Sequence, residues 1–194
     1  SPSQSFRSDY ENLTKEIKFW FEELKELGYI VAALSLGIDK KKVAAVLLKP
    51  ILQNKKEMMY FLEFSSYYRQ HLKDFPILAK SLYRICDQQT GFDMTQERIE
   101  AYEKIRKALT EAPLLLMPYW NIPFKFYIDA CGDGLGAALH QVQIIDDKPT
   151  ERLVCYISRE IEPTKATYGV SQMECLCLVW EVQKLHYYLD GSVF

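Results

Sequence analysis

The 194-residue sequence has no C-x-x-C pair, no histidine cluster and no apolar run of the roughly 20 residues that a membrane-spanning helix takes. Its five cysteines, at 86, 131, 155, 175 and 177, are odd in number and irregularly spaced, which argues against a disulfide framework and a zinc site. They read as intracellular thiols. Cys175 and Cys177 lie two apart in a helical pattern, so their side chains diverge and cannot face one metal. The three histidines, His71, His140 and His186, have no carboxylate or cysteine at ligand spacing. The opening "SPSQSFRSDY" is polar and is not a secretion signal. An intracellular location, in cytoplasm or nucleus, without membrane attachment is therefore expected. The chain starts with Ser rather than Met, which suggests a processed product, an excised domain or a shortened chain.

Net charge is also scarce, at only -2, but it is unevenly spread. Between Asp39 and Arg84 ten Lys/Arg face four Asp/Glu, and such a local excess attracts phosphate even on a near-neutral protein. With 48% hydrophobic residues there is ample material for a core.

Apolar residues from Tyr10 to Leu27 recur at three and four, which predicts an amphipathic helix ending before Gly28. "YIVAALSL" reads as one short buried strand. Asp39 is placed to cap "KKKVAAVLL", with Pro50 as its stop, and Asn54 with Glu57 has capping-box spacing ahead of "MMYFLEFSSYYRQHL". Two helices follow, "PILAKSLYRIC" and, after Thr95, "QERIEAYEKIRKALTEA". Pro113, Pro118 and Pro123 around "LLLMPYWNIP" mark a linker. Behind it "FKFYIDA", "LGAALHQVQII" and "RLVCYIS" read as strands separated by Gly132 to Gly136 and by "DDKPT". "SQMECLCLVWEVQKLHYYL" returns to helical character. The expected fold class is α+β or α/β, with a helical part over 1–117 and a sheet with a packed helix over 118–194.

Asp129 closes an apolar strand and precedes Gly132, Gly134 and Gly136, which leaves three readings open. A strand entering a turn is the plain one. A phosphate cradle for a dinucleotide is poorly matched, because the spacing is G-x-G-x-G and such a loop should open a helix. A metal site becomes plausible when Glu174, on the later helix, is brought to Asp129, since converging carboxylates suit two-metal phosphodiester hydrolysis.

The ordered segments "FKFYIDACGDGLGAALHQ", "VCYISRE", "TYGVSQMECLCLVW" and "KLHYYLDGSVF" resemble the ribonuclease H domain in the Pol polyprotein of gypsy-class long-terminal-repeat retrotransposons. Upstream, "LGYIVAALSLGIDKKKVAAVL", "FLEFSSYYRQHLKDFPILAKSLYRI" and "EAYEKIRKALTEAPLLLMPYWNIPF" resemble that family's reverse transcriptase from the palm edge through the thumb. The resemblance implies a thumb or connection-like region over 1–117 and the N-terminal part of a ribonuclease H-like mixed sheet over 118–194. It implies Asp129 and Glu174 as catalytic, metal-binding carboxylates for Mg²⁺ or Mn²⁺. It also implies nucleic-acid contacts at Lys55, Lys56, Tyr67, Tyr68, Arg69 and Arg159, with an RNA/DNA hybrid or other duplex as partner, although Tyr67 and Tyr68 read equally as helix packing.

Departures qualify the expected activity. The family's further site aspartates lie on a later strand and helix, past residue 194, and Asp190 is about 24 Å along the helix from Glu174, too far to substitute. The polymerase's Tyr-x-Asp-Asp turn is missing; the only Asp-Asp, Asp146–Asp147, reads as a surface turn. The 194 residues alone are therefore expected to cleave RNA in a hybrid poorly, with the rest of the Pol polyprotein as a missing partner. The alternative is a non-catalytic relic that serves as a nucleic-acid-binding or protein-interaction module.

Overall fold

The computed structural model describes residues 23–32, 35–48, 52–86, 91–131, 134–145, 147–161 and 169–192. Four short antiparallel strands, β1 (Glu23–Glu26), β2 (Tyr29–Ala32), β3 (Ser35–Ile38) and β4 (Leu115–Leu116), form one sheet in that order. Leu27 and Gly28 turn β1 into β2, both at positive φ (51° and 90°), the backbone a two-residue hairpin requires. This overturns two expectations. Residues 23–26 are strand, not the end of a helix, and residues 10–22 lie outside the described residues. "YIVAALSL" is split between two paired strands, not one. Apolar spacing over a short segment does not separate the two periods when cross-strand partners decide the outcome.

Helices α1 (Lys40–Leu47), α2 (Lys55–Tyr67), α3 (Phe75–Cys86) and α4 (Gln96–Thr110) follow, with one 3₁₀ turn over Arg69–His71. Asp39 caps α1 by accepting from the Lys41 amide at 2.9 Å. Asn54 caps α2 by accepting from the Glu57 amide at 3.0 Å, while Glu57 reaches back to the Gln53 amide at 3.0 Å. Thr95 precedes α4 in extended conformation but makes no side-chain cap bond. Phe75, Ala79, Leu82 and Ile85 of α3 recur at three and four, as do Ala101, Tyr102, Ile105 and Leu109 of α4, and these stripes meet in one buried cluster with Met58, Phe61 and Leu62. Tyr68 belongs to this core at 2% exposure, its hydroxyl donating to the Gly28 carbonyl at 3.1 Å.

The second sheet is an antiparallel meander of β5 (Phe124–Cys131), β6 (Gly134–Ile145) and β7 (Lys148–Glu160), followed by α5 (Val170–Lys184) and α6 (His186–Leu189). The expected mixed sheet is antiparallel throughout its described strands, and Lys148–Thr150 of the expected turn are already strand. The Pro-rich linker contributes β4, which pairs with β3. Buried Gln141 anchors the rest of it: Gln141 accepts from the Tyr119 amide at 2.9 Å and donates to the Tyr119 and Ile122 carbonyls at 2.8 and 2.9 Å. Gly134 and Gly136 lie within β6 and open no helix, which removes the dinucleotide reading.

Alternation sorts the second sheet's side chains. Ala130, Leu135 and Ile157 pack with Met173, Cys177 and Trp180 of α5. Phe124, Phe126 and Leu139 meet Val182, Leu185 and Leu189 farther along. Gly134 and Gly136 therefore face the other way, toward the start of α3. A Cβ on Gly134 would lie 2.3 Å from the Ile77 Cδ1 and 2.8 Å from the Arg159 carbonyl oxygen.

Glu181 is fully buried on the α5 face, where it accepts from the Cys177 thiol at 2.8 Å through Oε1, and its Oε2 has no hydrogen-bond partner. Burial pushes its carboxyl up to about 7, with the Cys177 hydrogen bond opposing.

Two outcomes follow. Gly134→Ala is expected to cost about 1–3 kcal/mol in urea unfolding, because the Arg159 carbonyl cannot turn aside as Ile77 can; unchanged stability would contradict the close approach. Since the folded Glu181 carboxyl titrates above its ordinary value of 4.5, its neutral form fits the fold. Stability is therefore highest below about pH 4.5 with respect to this group and falls as pH rises to about 7, by on the order of 2–3 kcal/mol. Glu181→Gln should remove that slope in unfolding curves measured between pH 5 and pH 8.

Candidate functional site

Asp129 lies two residues before the end of β5, opposite Gly136 in the ladder. Ala130 beside it packs with α5, so Asp129 projects from the opposite face. There its Oδ2 meets the Lys73 Nζ at 3.2 Å, with both side chains about 60% exposed (60% and 58%). That contact is the leading reason the Lys73 ammonium titrates above its ordinary value. Asp74, at φ 55°, sits just before α3, and a Cβ on Gly136 would lie 2.7 Å from its Oδ1. Burial raises the Asp74 carboxyl, the Lys73 charge lowers it, and the Asp129 charge raises it further. Lys73, Asp74, Tyr127, Asp129, His140 and Tyr156 line a cavity of about 280 Å³ on this face.

Glu174 is exposed in the second turn of α5. Its neighbour Met173 packs by Ala130 and Leu135, and the Cys177 thiol lies 3.8 Å from the Gly136 carbonyl. The start of α5 thus stands over the end of β5 that carries Asp129. Asp129 thus lies on the face away from α5 and Glu174 on the helix that covers the other face, so the two carboxylates do not share one sheet face as expected, and a ligand common to both would have to bridge the rim at the end of β5. Both are accessible oxygen donors, the type that Mg²⁺ and Mn²⁺ take. Among the described residues no group of three or more His, Cys, Asp or Glu comes together.

The expected nucleic-acid residues divide. Tyr68 is a correction: it is buried against Gly28, Tyr29 and Phe64 and cannot reach a ligand. Tyr67 is half exposed, and its hydroxyl donates to the Leu27 carbonyl at 3.0 Å. Lys56 and Tyr67 are eleven residues apart, three helical turns, and share an exposed stripe of α2 with Met59, Tyr60 and Glu63. Lys55 opens the same helix, and Arg69 is exposed just beyond its end. Arg159 stands apart on β7, its guanidinium 5.0 Å from the Trp180 ring centre.

Sequence reasoning missed Lys73, Asp74 and Tyr60. The Asp-Phe-Pro at 74–76 is a helix-start signal, but its approach to Asp129 depends on tertiary packing. The described helices include none long and apolar enough to cross a membrane.

Residues 94–194, from just ahead of α4, match the family described as "RNase H-like domain found in reverse transcriptase". Relatives include two Drosophila melanogaster proteins, the retrovirus-related Pol polyproteins from transposons opus and gypsy. Each is 29% identical over 192 residues, covering 93% and 92% of this chain and 19% and 18% of the polyproteins. The chain thus spans about a fifth of the length of these relatives. Among solved structures, a foamy viral protease-reverse transcriptase in complex with double-stranded DNA aligns at TM-score 0.71 and 15% identity, over 86% of this chain and 29% of that one. A foamy viral protease-reverse transcriptase in complex with an RNA/DNA hybrid aligns at 0.70 and 16%, over 87% and 22%. The chain is similar to gypsy-class transposon Pol polyproteins and belongs to the family of RNase H-like domains found in reverse transcriptases.

Proposed function

We propose that this segment serves a Pol polyprotein by gripping an RNA/DNA hybrid and presenting Asp129 and Glu174 for cleavage of its RNA strand. The observation that carries the reading is the placement of the first turns of α5 over the Asp129 end of β5. Residues 1–117 act as the thumb or connection-like part and 118–194 as the RNase H-like part, with α4, where the family match begins, joining them. Asp129 and Glu174 would hold the Mg²⁺ or Mn²⁺ that the family implies. A bound dication would supply activation of water and neutralisation of charge at the phosphodiester. The chain's own contribution is to fix the carboxylates: the β5–β6 ladder holds Asp129, and packing of Met173 and Cys177 holds the Glu174 turn. Lys73 keeps Asp129 neutralised and must yield it to a metal; an ion pair this exposed gives way at a cost of about 1 kcal/mol or less.

The duplex grip is assigned to Lys55, Lys56, Tyr67, Arg69 and Arg159, since phosphate contact from cations needs no sequence recognition. The predicted behaviour is sequence-independent hybrid binding that weakens steeply between about 50 and about 200 mM salt. Any Mn²⁺-supported cleavage of a labelled RNA strand should disappear in both Asp129→Asn and Glu174→Gln, with hybrid affinity kept within a few-fold. Undetectable binding at low salt, or cleavage indifferent to both substitutions, would refute the reading.

A further inference from the structure

A groove of about 800 Å³ runs along β7 between the 3₁₀ turn of Arg69–His71 and the junction of α5 with α6. The charged residues lining it are Arg69, Arg159 and Lys184, with no carboxylate among them. Its aromatic lining includes Tyr156, Trp180 and Tyr187, the last 49% exposed. The Arg159 guanidinium lies over the Trp180 ring, and its buried Nε has no hydrogen-bond partner among the described residues. β7 pairs only with β6 among the described strands, so consecutive residues 155–159 reach the groove from both faces of the sheet.

We propose that this groove, which shares Arg69 and Arg159 with the duplex grip and Tyr156 with the Asp129 cavity, binds a single-stranded stretch of nucleic acid. Cations without counter-charges suit a phosphodiester backbone, and flat rings beside them suit unpaired bases, which stack without regard to sequence. The volume falls in the range of a small-molecule site, about 300–1,000 Å³, enough for a few nucleotides. The proposal rests on the nucleic-acid reading above but adds a different ligand state: the strand as it leaves, or before it enters, the hybrid.

The test is fluorescence anisotropy of labelled oligo-dT and oligo-U against the labelled RNA/DNA hybrid at low salt, with the full 194-residue chain. The double variant Lys184→Glu/Tyr187→Ser alters two exposed side chains outside the duplex grip. Lys104→Glu, an equal charge change at Lys184-like exposure on α4, is the control. The double variant should lower single-strand affinity about tenfold or more and leave hybrid affinity within about twofold, while the control changes neither. Single-strand affinity unchanged in the double variant overturns the groove. So does equal loss for strand and hybrid. A poly-aspartate peptide that binds as well and responds equally to the double variant overturns it in favour of an acidic protein partner. Loss of hybrid binding in the wild type with strand binding intact would refute the duplex reading and leave the groove standing.

Discussion

The seating of α3 on the outer face of the β5–β6–β7 sheet governs everything else in this molecule. Gly134 and Gly136 leave room for Ile77 and Asp74, and no side chain larger than hydrogen fits at either point without displacement. The approach brings Lys73 to Asp129 and Lys80 to Glu160, at 3.2 and 3.8 Å. These ion pairs are exposed and contribute little energy, so shape fixes the contact. With α5 on the opposite face, β6 is covered on both sides, which is why none of its first ten residues is exposed, seven being buried and three half-buried.

The same arrangement decides where chemistry can occur. Strand alternation sends Asp129 away from α5 and toward Lys73, whereas Glu174 rides on the exposed flank of α5. Under the proposed reading a ligand common to both would sit at the strand end, open to solvent. The buried Glu181–Cys177 pair belongs to the core on the α5 side, where the Cys177 thiol also lies 3.8 Å from the Gly136 carbonyl. The side chains proposed to grip nucleic acid lie elsewhere, on the α2 stripe and along β7, so grip and cleavage are assigned to different surfaces.

Much of this was legible in the sequence where local physics decides. The caps at Asp39 and Asn54, the stripes of α3 and α4, and the strand-turn-strand character around Asp129 follow from spacing and side-chain chemistry, and the ordered motifs led to the family. The failures share a cause in tertiary contact. β1 to β3 depend on partners across a hairpin, and Leu27 adopts positive φ that its side chain does not advertise. Tyr67 and Tyr68 are adjacent and chemically alike, and both hydroxyls reach the β1–β2 turn, at Leu27 and Gly28, yet one is half exposed and the other is core. Nothing in the sequence marks Gln141 as the residue that the Pro-rich segment folds over and hydrogen-bonds.

The central claim is that Asp129 and Glu174, sixth residue of β5 and fifth of α5, meet at one rim and share a divalent ion. Paramagnetic broadening of backbone amide resonances during Mn²⁺ titration tests it without recourse to catalysis. The account predicts that signals around Asp129 and around Glu174 broaden together at the same Mn²⁺ concentration, and that Asp129→Asn relieves both. Broadening at one carboxylate alone, or centred on Glu151 or Glu160 instead, would contradict it.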